Sequence, residues 1–347
     1  MFARCFSIPF VRSNGHCLVL LTILMAFLGQ TAAVAQQYPI IGKIVSLDKR
    51  FDSMVRSDAN IEVLADGFTW TEGPVWRGTN DEGHLLFSDI PRNTIFKWDP
   101  NYGVSVFLTP SGYTGNTYYG LEPGSNGLTL NRKGQLLACE HGDRRVSVLT
   151  TDGGKRTLVD NYQGKRLNSP NDLVVKSDGT IYFTDPPYGL PKRADDKRRE
   201  LDFCGVYQLS TDGRLTLLTK ELQRPNGIGL SPDERTLYVA QSDPKRAIWM
   251  AFDLSDGKGP LPPGRLILDV TDRVGDQHPG LPDGMTVDKR GNIWGSGPGG
   301  IYVFTPTGEQ LGRLVTGDRT SNCTFGPDQK VLYMTVNHRL CRVRLAD

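Results

Sequence analysis

Glu72, Asn126, Asn171, Asn226, Asp283 and Asn322 each stand at the head of a short apolar run, and each carries a side-chain carbonyl or carboxylate oxygen. Two are anionic and four are neutral amides; none is a thiol or an imidazole. If the fold brings them to one place, they form a donor set for a hard cation. Calcium takes six to eight oxygens from carboxylates, amide carbonyls and water, whereas zinc and copper favour histidine and cysteine. A second reading is that Asn-Gly and Asp-Gly merely make turns. It accounts for the Asn-Gly pairs but not for Glu72, because glutamate is not a turn former.

The elements that must position these residues are legible in the same phrases. They read EGPVWRGTNDEGHLLFSD from Glu72, NGLTLNRKGQLLACEHG from Asn126, NDLVVKSDGTIYFTDPP from Asn171, NGIGLSPDERTLYVAQSD from Asn226, DGMTVDKRGNIWGSGPG from Asp283 and NCTFGPDQKVLYMTVNH from Asn322. Each is an apolar run, a turn rich in Asp, Lys and Gly, and a second apolar run, the pattern of a β-hairpin. The starts are 54, 45, 55, 57 and 39 residues apart. Further strand signals lie between them, such as TIFKWDP at 94–100 and GVYQLSTDGRLTLLTK at 205–220. Units of about 50 residues and four strands are the size of propeller blades. The sequence therefore predicts an all-β, six-bladed β-propeller with a central metal site. The innermost strands would line the channel and set the six oxygens at one height near its mouth.

Composition bounds the alternatives. The chain has 347 residues and a formal charge of +2, with no dense basic patch to suggest a nucleic-acid partner. Arg4 and Arg12, the apolar run CLVLLTILMAFL from Cys17 and the small residues ending Ala33-Val34-Ala35 have the layout of a secretory signal. Residues 1–35 are thus expected to be a signal peptide and 36–347 a single propeller domain, exported to the periplasm or secreted, with no membrane span after signal removal. A retained anchor is the alternative. Oligomeric state is left open. Cys139, Cys204, Cys323 and Cys341 would remain after signal removal; an oxidising compartment permits disulfides among them in three pairings, their spacing fits no zinc pattern, and burial as small apolar residues is expected for most.

TEGPVW at 71–76, SPND at 169–172, RPNG at 224–227 and LPDGM at 281–285, in this order, resemble the gluconolactonase family, which includes senescence marker protein, luciferin-regenerating enzyme and drug-responsive lactonases. Diisopropyl fluorophosphatase is a more distant propeller of the same kind. The resemblance spans about residues 60–345 and implies a six-bladed propeller with one divalent cation in its channel, most commonly calcium, with magnesium, manganese or zinc as other ions. By its motifs Glu72, Asn226 and Asp283 match the family's ligands, and Asn171 matches a position that is a ligand in some members and a substrate contact in others. The metal set is then Glu72, Asn171, Asn226 and Asp283, with Asn126, Asn171 and His141 expected to contact substrate. The senescence-marker branch has an arginine where this chain has Ser169, so that branch's substrate contacts do not carry over.

The implied reaction is hydrolysis of a small sugar-type lactone. The cation would polarise the carbonyl and an activated water would attack, with Asp283 the first candidate for the base and His141 or His278 as alternatives. For Tyr188 two readings stand side by side, a wall of the pocket and aromatic packing between blades, and the insert SGYTGNTYYGLEPGS at 111–125 could form a lid over the mouth. No G-x-S-x-G elbow supports a serine nucleophile. A metal-dependent phosphotriesterase and a non-catalytic binding propeller are the competing readings.

Overall fold

The computed structural model describes residues 37–80, 82–254 and 259–346; the expected signal segment, 1–35, lies outside them. The apolar runs fold as antiparallel sheets arranged as six blades. The innermost strands are Thr71–Arg77, Ser125–Leu130, Leu173–Val175, Pro225–Leu230, Met285–Val287 and Thr320–Phe325, and each touches its two neighbours in a closed ring. From these each sheet runs outward by hairpins, as in the first blade through His84–Asp89, Thr94–Asp99 and Gly103–Leu108.

Ring closure comes from the beginning of the domain. Ile61–Asp66 pairs with Arg339–Arg344 and so completes the sixth blade, next to which Ile40–Ile41 adds a further strand. Lys43–Ser46 extends the fifth blade by pairing with Gln310–Val315. Among the described residues the one α-helix, Lys49–Asp52, is a single turn capped by the Asp48 carboxylate, and no helix of these residues is long and apolar enough to cross a membrane.

Successive residues alternate between the two faces of each sheet, and along the middle strands both faces are buried, one against each neighbouring blade. Apolar clusters fill every interface between blades: Phe183 and Tyr207 stack at 5.2 Å between the second and third, and Trp249 packs on Tyr302 and Phe304 between the fourth and fifth. Each such buried ring contributes about 2 kcal/mol by its removal from water. Cys139, Cys204, Cys323 and Cys341 are free thiols and all are buried; Cys139, Cys323 and Cys341 belong to these clusters.

Near the axis, polar bonds join each blade to the next. Hydroxyls donate to backbone carbonyls across the interface: Ser88 to Asn126 (2.8 Å), Thr184 to Asn226 (2.7 Å), Ser242 to Pro282, Ser296 to Ser321 (2.8 Å) and Ser321 to Thr71 (2.7 Å). The N–H of Gly127 donates to the Asn171 carbonyl at 2.8 Å and joins the second blade to the third.

The glycines after the leading residues are explained by this crowding rather than by turns. Gly227 lies inside strand Pro225–Leu230, and a Cβ there would stand 2.0 Å from the Asp283 carbonyl oxygen of the next blade. Backbone cannot yield as a flexible side chain would. Gly227→Ala is therefore expected to lower stability by about 2 kcal/mol or more, read as the denaturant midpoint, whereas Gly275→Ala, which meets nothing within 4 Å, should change it by less than about 0.5 kcal/mol.

Candidate active site

The residues at the channel mouth are held by what precedes them. Asp89 accepts the N–H groups of Thr69 (3.0 Å) and Trp70 (3.2 Å), just ahead of Glu72. Asp185 does the same for Asn168 and Ser169, both at 2.8 Å, ahead of Asn171. The Gln241 side-chain oxygen accepts from Gln223 at 2.8 Å, ahead of Asn226. Buried acceptors at the ends of second strands thus satisfy the entering loops, which would otherwise leave unpaired N–H groups. The strand register then shifts between Glu72 and Val75, Ser125 and Leu128, and Pro225 and Ile228. Such bulges re-aim a side chain, and here they occur where the polar residues turn to the axis.

Glu72, Asn126, Asn171, Asn226 and Asp283 line one cavity of about 340 Å³, walled by Trp70, Ile90, Tyr188 and Leu281, with Glu122, Arg193 and Arg319 also facing it. Asn322 does not join that ring. The Gly284 N–H bonds to the Ser321 carbonyl just as the Gly127 N–H bonds to that of Asn171, so Ser321 is the sixth leading residue and the repeat shifts by one there. Asn322 occupies the position that is glycine in four of the other blades, and Asp172 occupies it in the third. These two form a second polar tier below the first: the Asn322 amide donates to Glu72 (3.2 Å) and to Asp172 (3.3 Å).

Three carboxylates are thereby buried together. Burial, reinforced by the charge of Asp172, pushes Glu72 up to about 8; burial pushes Asp172 up to about 7. Asp283 is raised well above the carboxylate range by burial and then by Glu72 and Asp172. The Oδ1 atoms of Asn171 and Asp283 are buried without a hydrogen-bond partner. Among the described residues no three His, Cys, Asp or Glu side chains form a ligand cluster, so a cation here needs the amides as well as the acids. Ser242 gives its proton to Pro282 and accepts the Asn226 NH2 group at 2.9 Å, so the Asn226 carbonyl is left for the cavity. Unpaired oxygens, repelling acids and the absence of soft donors fit a hard divalent cation.

The histidines separate. His141 is fully buried, held neutral by a pKa lowered to about 3, and meets the Asn126 amide at 3.3 Å. It does not line the cavity; Asn126 stands between. His278 packs beside Gly299, also outside the cavity lining. Tyr188 walls the cavity and donates to the Ser242 carbonyl at 3.2 Å. Ser169 is buried and structural, donating to the Pro186 carbonyl at 2.6 Å and accepting from Gly189 at 2.9 Å. The 111–125 insert is tied down by Asn93, whose Oδ1 accepts from the N–H groups of Gly112 (2.8 Å) and Tyr113 (3.1 Å), and it delivers Glu122 to the cavity. Sequence reasoning did not single out Glu122, Arg193 or Arg319. Glu122 alone carried a signal, as the one acid of an insert placed directly before Asn126.

A closed six-bladed propeller with an oxygen-lined axial cavity defines the class of protein. The family model described as the SMP-30/gluconolactonase/LRE-like region matches residues 70–338, and the chain belongs to that family. It is 44% identical over 312 residues to a gluconolactonase of Zymomonas mobilis, covering 88% of this chain and 86% of that protein. It is 28% identical to the diisopropyl-fluorophosphatase of Loligo vulgaris, over 76% of this chain and 84% of that one. The solved structure of a gluconolactonase from Xanthomonas campestris superimposes with a TM-score of 0.76 at 33% identity, covering 90% of this chain and 99% of that one.

The raised acids give a signed prediction for the cation-free protein. Folded Glu72 and Asp172 hold protons to about pH 8 and 7, against ordinary values of 4.5 and 3.8. Their stabilising protonation is complete below the ordinary values and is lost as pH rises through about 7 to 8. The melting temperature of EDTA-treated protein should therefore fall between pH 6 and pH 8. Calcium should raise it more at pH 8, where protons no longer compete, and Glu72→Gln should flatten both trends.

Proposed function

We propose that the protein hydrolyses a sugar-type lactone to its hydroxy acid with the help of one divalent cation, calcium before magnesium, manganese or zinc. What carries the reading is the pair of unpartnered buried oxygens on Asn171 and Asp283, beside Glu72, in the cavity of a chain belonging to this family. The similarity to the Zymomonas mobilis gluconolactonase supports lactone-ester hydrolysis as the activity.

In this reading Glu72, Asn171, Asn226 and Asp283 hold the cation, whose chemistry when bound is to polarise the carbonyl and to stabilise the negative charge that develops on its oxygen. Asp283 also serves as the base. One carboxylate oxygen takes a proton from the attacking water, and the same proton is returned to the ring oxygen as the C–O bond breaks. Water is thus added across the ester and a free hydroxyl and carboxylic acid result. Burial raises the proton affinity of this carboxylate in the cation-free protein, and a bound cation opposes that rise. Asn126, with its amide beside the water-accessible space, binds a substrate hydroxyl, and Tyr188 and Trp70 supply apolar walls to a sugar ring.

The likeness to diisopropyl-fluorophosphatase favours a second reading, phosphoryl-ester hydrolysis in the same cavity. In it the Asp283 carboxylate attacks phosphorus as the leaving anion departs, and water then cleaves the phosphoryl-carboxylate to free the acid and regenerate Asp283. Export, expected from residues 1–35, is part of the proposal and is checked by amino-terminal sequencing of the protein recovered outside the cytoplasm.

The test is pH-stat hydrolysis of glucono-δ-lactone and of diisopropyl fluorophosphate. EDTA-stripped enzyme should be inactive and calcium should restore lactone turnover. Asp283→Ala should lower kcat by at least about 100-fold, as loss of a general base does. Turnover of the phosphoryl substrate alone would reverse the order of the two readings.

A further inference from the structure

His141 reaches the cavity only through Asn126, and the direction in which that amide points decides what the cavity offers a substrate. The Asn126 Nδ2 atom faces His141 Nε2 at 3.3 Å. An NH2 group only donates, so the contact is a hydrogen bond only if Nε2 carries its lone pair and the ring proton sits on Nδ1. With the other tautomer two donors would oppose each other and the amide would turn over.

What surrounds Nδ1 selects the tautomer. That nitrogen is buried and has no hydrogen-bond partner, and the polar atom facing it is Glu122 Oε2 at 3.7 Å. An N–H directed at a carboxylate is favourable; a lone pair directed at it is not. The ring has little freedom to evade the choice. Gly189 lies so close that a Cβ there would come within 2.4 Å of the imidazole, and Tyr119 donates to the His141 carbonyl at 3.2 Å.

We propose that Glu122 and His141 are positioning residues for substrate selection: Glu122 holds the imidazole proton on Nδ1, Nε2 captures the Asn126 NH2 group, and the Asn126 carbonyl oxygen is thereby presented to the cavity. The cavity then offers an acceptor there and reads the O–H of a hydroxylated lactone. The arrangement repeats, with different atoms, what Ser242 does for Asn226. The inference rests on the lactone reading for its substrate and on the geometry for its tautomer.

The two parts are tested separately. In 15N-labelled, calcium-loaded enzyme, long-range 15N–1H correlation should show His141 neutral with the proton on Nδ1; a proton on Nε2 overturns the proposal whatever the activity. Kinetics then compare glucono-δ-lactone with δ-valerolactone, which has no hydroxyl. Losing one oriented hydrogen bond, His141→Leu should lower kcat/KM for the hydroxylated lactone about tenfold, chiefly through KM. The unhydroxylated lactone should change by less than about twofold, since it makes no such bond. His141→Gln, whose side-chain oxygen can accept, should recover most of the loss, and Glu122→Leu should show the same selectivity to a smaller degree. Equal losses on both lactones, or no recovery with glutamine, overturn the proposal. If His141→Leu does not fold, the wild-type tautomer and the glutamine variant still decide it. If wild-type enzyme hydrolyses neither lactone, it is the lactone reading that falls, and the tautomer still judges the geometry.

Discussion

Three carboxylates share the axial channel of this propeller, and their mutual repulsion in a dry setting is the constraint around which the rest is arranged. Glu72, Asp172 and Asp283 are all buried or nearly so, and each is raised by desolvation. An isolated buried charge is too costly to keep, so such groups take protons, partners or a cation. The chain supplies some partners itself. The Asn322 amide bridges Glu72 and Asp172, and the N–H groups of Gly73 and Leu173 serve the same two acids at 2.9 Å each. No such partner reaches Asp283 Oδ1 or Asn171 Oδ1. These two unpartnered oxygens are the physical reason the proposed cation belongs to the upper tier and not the lower one.

Precision at that tier comes from making the inner ring inextensible. Each blade is bonded to the next within one residue of the channel, and glycine at the crossing points lets backbones approach to a distance no other residue allows. The loops entering the inner strands are then fixed by acceptors such as Asp89, Asp185 and Gln241. Groups on such a scaffold are already oriented before substrate arrives, which is what electrostatic catalysis requires. The neutral amides need a further device, because an amide can present either end. Ser242, at the cavity wall, supplies it for Asn226, and His141, behind the wall, supplies it for Asn126.

The propeller and the floor of its cavity were readable from the chain because a fold built of repeats writes its own alignment. The phrase headed by Glu72, Asn126, Asn171, Asn226 and Asp283 fixes strand, turn and strand at a regular period, and a period forces equivalent residues to equivalent heights. The register failed at the sixth copy, where the sequence match favoured Asn322 over Ser321. Both are small and polar, and only the bond from Gly284 to the Ser321 carbonyl distinguishes them. The glycines were legible as residues but not as causes, since a turn and a close approach ask for the same amino acid.

What the linear chain determined by itself was therefore everything local or periodic: six hairpins, their oxygen-bearing heads and the exclusion of soft metal ligands. Tertiary structure alone decided which distant groups meet. It placed Asp172 beneath Glu72, set His141 behind Asn126, took His278 out of the cavity and brought Glu122, Arg193 and Arg319 to face it. The physical reason is that these contacts join loops of different length from different blades. Loop length and path carry no period, so nothing in the order of the residues announces where such side chains arrive.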